Sequence, residues 1–311
     1  MSALALIACR RGVAVSGCDM DPAGAADLAA LGVHVAHGHD PAHLSGVRAV
    51  VVTAAVPPGH PELERARESG LLIVPRKVAL AELIEGARAV GISGTHGKTT
   101  TTVMTTEALT AAGLNPTGIA GGRVSTWGGN AKVAGDDLFV VEADEFDQAF
   151  LTLYPTVAIV NNVEPDHLEC YGSMAALEDA FVEFAGRARV AIVNGDDPGA
   201  HQVGERIGTA VRRFGCSTEA DIRITDIVQR ADATSARIRW RDGRAIELRL
   251  KVPGLHNLRN AVAALSAVDA LDGALEPAAA ALAEFQGVGR RFERLGEFAG
   301  VVVVDDYAHH P

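Results

Sequence analysis

The sequence predicts an α/β protein built on mostly parallel sheets. Short apolar segments alternate with helical segments along most of the 311 residues, and that alternation is typical of parallel strands joined by helices. Only 5% of the residues are aromatic, whereas 48% are hydrophobic. This composition is that of an ordinary globular protein with a sizeable core, and the length favours two or three domains.

Charge and composition exclude several classes of partner. The formal net charge is −11, which argues against a nucleic-acid-binding surface. No apolar run reaches the roughly 18 residues of a membrane span. The cysteines show no metal-ligand spacing, so we expect free thiols in a reducing compartment. We therefore expect a cytoplasmic protein, monomeric or homodimeric, with neither nucleic acid nor membrane as a partner.

Residues 1–87 are predicted to form a Rossmann-like unit. Its first strand, residues 13–16, leads to Gly17 and Asp19, and an acidic residue beyond such a strand often holds a nucleotide ribose. A solvated turn is the alternative for Asp19. A nucleotide-binding unit of this kind opens with a strand and a glycine turn, so we expect both to be missing here. The other predicted elements are helices at 2–10, 21–31, 61–69 and 78–85 and strands at 33–35, 47–53 and 71–74.

Four histidines lie close together in this first unit. Their spacing alternates along a strand and a loop, without a carboxylate or cysteine partner in the pattern. We therefore expect no metal site here, and expect His37 and His39 to line a loop near the carboxyl edge of the sheet. The set comprises His34, His37, His39 and His43.

Residues 88–288 are predicted to form a second unit, which begins with a phosphate-binding loop. A buried strand at 88–93 runs into a glycine-rich turn and then into a helix at 99–112. Gly94 and Gly97 let the backbone approach an anion, the free N–H groups of the helix start point at it, and Lys98 adds a positive charge. Thr99 supplies a hydroxyl for Mg²⁺. The generic P-loop has glycine where Ile92 stands, and a purely structural turn is the alternative.

Polar residues follow two further strands of this unit. The strand at 137–141 runs into Glu142–Glu145, and the strand at 156–160 runs into a segment ending in Asp166 and His167. The carboxyl ends of parallel strands meet at one edge of a sheet, where the phosphate loop also lies. Carboxylates at that edge suit Mg²⁺ bound to nucleotide phosphates.

The remainder of the chain adds an antiparallel appendage and further polar candidates. Asp242 and Gly243 between strands at 236–240 and 245–250 indicate a hairpin. A helix is predicted at 258–271, with Asn257 as its N-cap and Asn260 facing a ligand. Another helix is predicted at 277–285.

The last predicted features lie after this helix. Arg290 and Arg291 can hold phosphate oxygens. Residues 289–311 are a linker and the first strand of a C-terminal domain that we expect to be truncated.

Taken together and in order, these segments resemble the Mur ligase family, the ATP-dependent amide-forming enzymes of peptidoglycan precursor synthesis. The resemblance covers nearly the whole chain, and its loop accounts for the departure from the generic P-loop. It implies a Rossmann-like N-terminal domain and a P-loop-type central ATPase domain. The segments are GISGTHGKT at 91–99, EADE at 142–145, Asn162 with Asp166 and His167, PGLHN at 253–257 with Asn260, GRRF at 289–292 and DDYAHHP at 305–311.

Within the family, the motifs are most similar to those of the branch that joins L-alanine to UDP-N-acetylmuramate through an acyl phosphate. Several sibling branches use a carbamylated lysine after the Asp-His motif, and residues 168–250 contain no lysine. The alternatives are the branch that recycles a murein tripeptide, from which Phe146 makes the alanine branch harder to distinguish, a nucleotide-binding switch, and a nucleotide-binding fragment without turnover. We expect a chain of this extent to turn over little by itself.

The resemblance also implies roles for individual residues. Lys98 contacts the β and γ phosphates of ATP, Thr99 and Glu142 hold one Mg²⁺, and His167 helps to hold a second. Arg291 completes the implied catalytic set. The implied ATP-side residues are Gly94, Thr95, His96, Gly97, Lys98, Thr99, Thr100, Asn257, Asn260, Arg291 and Asp306. Gly17, Asp19, Thr53 and His96 are implied for the nucleotide sugar, and Tyr307, His309 and His310 for the amino acid.

Overall fold

The computed structural model describes residues 1–289, 293–298 and 300–305. The helices are α1 Ser2–Arg10, α2 Ala26–Ala29, α3 Pro61–Glu68, α4 Arg76–Leu83, α5 Lys98–Ala111, α6 Leu168–Tyr171, α7 Met174–Gly186, α8 Pro198–Arg206, α9 Leu255–Ala270 and α10 Leu275–Ala283. The strands are β1 Ser16–Asp19, β2 His34–His37, β3 Ala49–Val52, β4 Leu72–Pro75, β5 Arg88–Ser93, β6 Thr117–Val124, β7 Gly129–Lys132, β8 Leu138–Glu142, β9 Val157–Val160, β10 Val190–Asn194, β11 Ala210–Gly215, β12 Ile222–Gln229, β13 Thr234–Trp240, β14 Ala245–Leu250, β15 Glu293–Phe298 and β16 Val301–Asp305.

A ten-stranded sheet forms the centre of the molecule, in the order β14-β13-β12-β11-β10-β9-β5-β8-β6-β7. The strands from β12 through β11, β10, β9, β5 and β8 to β6 run parallel to their neighbours. The edges are antiparallel: β13 and β14 form the hairpin predicted around Asp242 and Gly243, and β7 returns along β6. The predicted α/β class, mostly parallel with an antiparallel appendage, is confirmed.

The central strands are apolar on both faces, as parallel strands covered by helices on each side must be. In β8, Leu138 and Val140 face a core completed by α5, α9 and α10, while Phe139 and Val141 face a core completed by α7 and α8. The second core also takes in apolar residues of α1 and α4. The N-terminal segment therefore packs directly on the central unit.

Residues 1–87 contain two separate parallel pairs, β1 with β2 and β3 with β4. The strand predicted at 13–16 lies at Ser16–Asp19 instead, so Gly17 and Asp19 belong to the strand itself. The helix predicted at 21–31 was also wrong in extent. Pro22 and Gly24 lie in a short 3-10 turn, which the Asp21 side chain caps through the Ala23 N–H, and only α2 is α-helical.

Helix α9 begins earlier than predicted, at Leu255. Gly254 occupies the N-cap position with φ of 98°, in the left-handed region that glycine adopts at little cost. Asn257 therefore lies inside the first turn, where its Nδ2 donates to the Pro253 carbonyl at 2.8 Å. The prediction of Asn257 as the N-cap was wrong, because a glycine three residues upstream starts the helix.

Two further points concern the periphery. β15 and β16 pair antiparallel, so the strand predicted within residues 289–311 corresponds to β16, Val301–Asp305, and β15 precedes it. Among the helices of residues 1–289, 293–298 and 300–305, none has the length and apolar character to cross a bilayer.

Candidate nucleotide-binding site

The site is built on the turn between β5 and α5, at the carboxyl edge of the central sheet. Gly94 has φ of 134° and Gly97 has φ of 78°. A Cβ at Gly94 would lie 3.1 Å from the backbone of Asn162, and one at Gly97 would lie 2.8 Å from Oδ1 of Asn260. Both positions thus require glycine for conformation and for space. The turn places the first N–H groups of α5 where an anion would meet them.

Lys98 is held inside this turn. Its Nζ donates to the carbonyls of Gly94 at 2.9 Å and Thr95 at 3.3 Å, and to both carboxylate oxygens of Glu145 at 2.7 and 2.9 Å. Glu145 is 1% exposed in its side chain. Its pKa is raised by burial, which the neighbouring Lys98 ammonium opposes. Glu145 therefore stands where the lysine would otherwise meet an anionic ligand.

Glu142 and Thr99 form a second polar contact beside the loop. The Thr99 hydroxyl donates to Oε1 of Glu142 at 3.2 Å, and the Gly121 N–H donates to Oε2 at 2.6 Å. Burial raises the pKa of the Glu142 carboxyl, against the opposing effects of those hydrogen bonds and of Lys98. Carboxylate and hydroxyl oxygens at this position are hard donors of the kind that Mg²⁺ prefers.

The segment after β9 clamps the loop from the other side. Asn162 accepts from the His96 N–H through Oδ1 at 2.7 Å and donates through Nδ2 to the His96 carbonyl at 3.1 Å. The Thr95 N–H reaches the Asn162 carbonyl at 3.2 Å, and the Thr95 hydroxyl accepts from the Glu164 N–H at 2.9 Å. This network holds the turn in one conformation before any ligand binds. Thr99 and Thr100 are buried at the start of α5.

His167 lies next to Glu145, the ion-pair partner of Lys98, at the carboxyl edge of the central sheet where the sequence predicted it. Ligand atoms of Glu145, Asp166 and His167 all fall within 4.8 Å of one another. His167 has φ of 49°, and its ring meets the Phe146 ring edge-on at a centroid distance of 5.1 Å. A carboxylate pair and an imidazole at this spacing can hold a divalent ion.

The two asparagines predicted for the ATP side lie in different surroundings in the structure. Asn260 is buried, and its side chain lies against Gly97 of the loop. Asn257 is half-buried one turn earlier and is bonded to Pro253. The structure therefore places Asn260 beside the loop, whereas the described contacts of Asn257 stay within its own helix start.

The residues predicted for the nucleotide sugar lie in the N-terminal unit. Gly17 and Asp19 are exposed on β1, where the Asp19 carboxylate accepts from the Asp21 N–H at 2.9 Å. Thr53 follows β3 and is half-buried. Arg291, Asp306, Tyr307, His309 and His310 lie outside the described residues.

Sequence reasoning missed the partners that hold the site together. Glu145 was recognised as part of an acidic cluster, but its ion pair with Lys98 follows only from the pairing of β5 with β8. Gly121 was missed altogether, since its N–H reaches Glu142 from the neighbouring strand β6. Tyr171 was also missed, although its hydroxyl donates to the Glu145 carbonyl at 2.6 Å. None of these contacts has a local signal in the sequence.

Models of the Mur ligase family match this chain over most of its length. The model described as Mur ligase family, catalytic domain, matches residues 1–88, and the model described as Mur ligase middle domain matches residues 92–268. The chain belongs to the Mur ligase family. Members of this family depend on ATP and generally use Mg²⁺, which agrees with a glycine cradle, a half-buried lysine and an oxygen donor pair at one sheet edge.

Named relatives extend over the whole chain. It is 45% identical over 320 residues to the UDP-N-acetylmuramate–L-alanine ligase of Acidothermus cellulolyticus, an alignment that covers 100% of this chain and 67% of that protein. It is 42% identical over 325 residues to the enzyme of the same name from Burkholderia cenocepacia, with 100% and 69% coverage. The chain thus spans about two thirds of the length of the curated relatives it matches.

Solved structures show the same fold. The UDP-N-acetylmuramate-alanine ligase MurC of Thermotoga maritima superposes with a TM-score of 0.88 at 30% identity, covering 100% of this chain and 72% of that one. The murein peptide ligase of Psychrobacter arcticus superposes with a TM-score of 0.86 at 26% identity, covering 100% and 71%. The fold alone does not separate these two activities.

Proposed function

We propose that the protein is an ATP-dependent ligase that joins L-alanine to UDP-N-acetylmuramate in the synthesis of peptidoglycan precursors. The observation that carries this proposal is the identity of 42–45% across the whole chain to ligases named for that reaction. The phosphate loop supports it, because Lys98, Thr99 and Glu142 form a site for a nucleotide phosphate and a cation. The tripeptide-recycling ligase is the second candidate, because a murein peptide ligase superposes almost as well, with a TM-score of 0.86.

The proposed chemistry follows from the charges at the loop. An amine does not attack a free carboxylate in neutral water, so the carboxylate of the nucleotide sugar first takes the γ-phosphoryl group of ATP. The alanine amine then adds to the acyl phosphate, and the tetrahedral intermediate expels phosphate. Both steps crowd negative charge together, which Lys98 and the α5 N–H groups are positioned to offset. When bound, Mg²⁺ neutralises phosphate charge and orients the transferred group.

The roles of the individual residues are part of the proposal. Lys98 leaves Glu145 for the β and γ phosphates, while Thr99 and Glu142 hold one Mg²⁺. The second Mg²⁺ belongs with His167, whose neighbours Glu145 and Asp166 add oxygen donors. Asn260, whose side chain lies against Gly97 of the loop, is assigned to the ATP side.

The proposal assigns the remaining predicted residues to the substrates. Asn257, Arg291 and Asp306 are assigned to the ATP side, Gly17, Asp19, Thr53 and His96 to UDP-N-acetylmuramate, and Tyr307, His309 and His310 to the amino acid. We further propose that the protein acts in the cytoplasm, as a monomer or homodimer.

The test is phosphate release by the protein at its natural length, with Mg-ATP and UDP-N-acetylmuramate. L-Alanine is compared with the tripeptide L-Ala-γ-D-Glu-meso-diaminopimelate as the second substrate. Release that depends on L-alanine and disappears in Lys98→Ala supports the proposal. Release only with the tripeptide would transfer the assignment to the recycling ligase. Phosphate release at the same rate with and without either amine would leave a nucleotide hydrolase.

A further inference from the structure

A second cluster of metal-binding residue types lies in the N-terminal unit, within residues 1–87. Cys18 stands on β1, His39 follows the parallel neighbour β2, and Glu62 lies in the first turn of α3. Because β1 and β2 are parallel and in register, with Asp19 opposite His37, their carboxyl ends deliver Cys18 and His39 to one edge. Glu62 meets them from the helix above. The cluster is not part of the phosphate site on the central sheet.

The donor atoms of this cluster are spaced as metal ligands are. The Cys18 Sγ lies 3.3 Å from His39 Nδ1 and 3.2 and 3.4 Å from the two Glu62 oxygens. His39 Nδ1 lies 3.3 Å from Glu62 Oε2. In a tetrahedral zinc site with bonds of about 2.0–2.3 Å, neighbouring donor atoms lie roughly 3.3–3.7 Å apart. A small adjustment of these side chains would therefore place all three around one ion.

Glu62 is oriented by contacts that a ligand carboxylate would need. Its side chain is 10% exposed. Oε1 accepts from the Asp40 N–H at 3.2 Å and faces His43 Nδ1 at 3.1 Å. These bonds fix the carboxylate plane and aim Oε2 at the cluster. Supporting hydrogen bonds of this kind accompany ligating carboxylates in metal sites.

His60 adds an unpaired nitrogen at the same place. Its Nδ1 is buried and has no hydrogen-bond partner within the described residues, and it lies 3.9 Å from Oε2 of Glu62. Its ring meets the His39 ring edge-on at a centroid distance of 4.9 Å. Leaving a buried polar atom unpaired is costly. A cation between His60, His39 and Glu62 would remove that cost.

We propose that Cys18, His39 and Glu62, with His60 as the fourth ligand, bind a divalent transition metal of the zinc class. Thiolate and imidazole donors select zinc and its neighbours over Mg²⁺, which prefers oxygen alone. The site is therefore chemically distinct from the oxygen pair of Thr99 and Glu142. The proposal does not depend on the ligase assignment, because every contact lies within residues 18–62.

The metal-free alternative is a hydrogen-bonded cluster in which the thiol donates to Glu62. Burial, followed by the hydrogen bond to Glu62, raises the pKa of the Cys18 thiol to about 12, so that cluster holds a neutral thiol at pH 7. It accounts for the Cys18 contact. It leaves His60 Nδ1 unpaired and gives no reason for two imidazoles to converge on one carboxylate oxygen.

The experiment measures zinc binding in excess Mg²⁺, so that the phosphate site is saturated with its own cation. Metal-stripped protein is titrated with Zn²⁺ against a chromophoric chelator, and separately with Co²⁺ to record the thiolate-to-cobalt charge-transfer band. We expect one equivalent of either metal and a clear band. Binding of less than one equivalent, or a cobalt spectrum without the thiolate band, would overturn the proposal.

Matched variants locate the ion. Cys18→Ser should abolish the thiolate band and weaken zinc binding at least about tenfold, as loss of a ligand does, while Cys9→Ser, at another half-buried free thiol, should change neither. His39→Ala and His60→Ala should each weaken binding without removing the band. An unchanged affinity in His60→Ala would overturn its assignment. His167→Ala should still bind one equivalent of zinc. Loss of zinc binding in this variant would place the metal site at the phosphate loop instead.

A folding control separates metal loss from misfolding. His39 is 33% exposed in its side chain, so His39→Ala should fold normally and give an unchanged circular dichroism spectrum. The thermal unfolding midpoint of the wild type should rise with added zinc, because zinc binds the assembled site of the folded protein more tightly than the separated side chains of the unfolded chain. That rise should disappear in His39→Ala and in Cys18→Ser. A rise of equal size in both variants would contradict the proposal.

Discussion

The phosphate loop and the Cys18 cluster are both polar sites at the carboxyl ends of parallel strands, but they are assembled differently. The loop is one contiguous segment, residues 94–99, on a ten-stranded sheet buried on both faces. The cluster draws single residues from three segments that lie on a two-stranded pair and a helix start. A contiguous site carries its own pattern of glycine and lysine. A dispersed site has no pattern until the strands pair.

The largest effect should come from the loop itself. Lys98→Ala removes the ammonium that the loop holds at 2.9 Å from the Gly94 carbonyl, and ligation should fall by at least about 10²-fold, the usual cost of losing a transition-state charge partner. Lys132→Ala is the control, because Lys132 pairs with Glu107 away from the loop. Steady-state phosphate release measures both. An equal loss of ligation activity in Lys98→Ala and Lys132→Ala would show that the contiguous loop has no special role, and would contradict the comparison.

Gly97→Ala tests whether the loop needs space as well as conformation. Gly97 and Gly128 both have positive φ, at 78° and 68°, but a Cβ meets Asn260 only at Gly97. Both changes should cost about 1–2 kcal/mol in left-handed strain. Only Gly97→Ala should also displace Asn260 and reduce ATP binding. Unfolding in denaturant and ATP titration separate the two effects, and a normal ATP affinity in Gly97→Ala would contradict the close approach.

Glu142→Gln should separate activity from stability. Burial raises the pKa of Glu142 in the folded protein, so its favourable contribution is present below the unfolded-state pKa and is lost as pH rises through the folded-state pKa. The neutral amide keeps an oxygen for the Gly121 N–H and carries no such penalty. The variant should therefore gain stability relative to wild type between acidic and neutral pH, while Mg²⁺-dependent ligation is lost.

Thermal unfolding of wild type and Glu142→Gln across that pH range, without nucleotide, provides the measurement. Glu276→Gln is a suitable control, because Glu276 is an exposed carboxylate in the first turn of α10 and has no burial cost to relieve. A stability difference between Glu142→Gln and wild type that shrinks as pH rises would show that the carboxylate is better accommodated than its burial indicates.

The smallest effect concerns the contact between the two units. Arg11 bridges from the end of α1 to Asp136 at 2.8 Å, with side chains 35% and 69% exposed. Exposed pairs of this kind contribute about 0–1 kcal/mol. Arg11→Ala should lower the free energy of unfolding by that amount for the pair, with a further loss from the Arg11 hydrogen bond to the Leu83 carbonyl and its contact with the Phe139 ring. The buried α1 contacts still hold the units together. A double-mutant cycle with Asp136→Ala isolates the coupling free energy of the pair. A coupling free energy above about 1 kcal/mol would assign the ion pair a structural role.

The fold class, the phosphate loop and the family could be predicted from the residues alone. Hydrophobic segments report burial directly, and the loop is short enough for its glycines, Lys98 and Thr99 to be read as one unit. The hairpin at Asp242 and Gly243 was equally local and is confirmed.

The contacts between groups that are distant in sequence depend on how the whole chain packs. The histidines near residue 39 have no carboxylate or cysteine partner in the sequence pattern, so no metal site was expected there. That reading of their surroundings was wrong: Glu62 lies 3.3 Å from His39, and Cys18 approaches through the pairing of β1 with β2. Likewise, Glu145 reaches Lys98 only because β8 lies next to β5. Such contacts depend on strand order and register, which arise from packing the whole chain and leave no mark on the residues nearby.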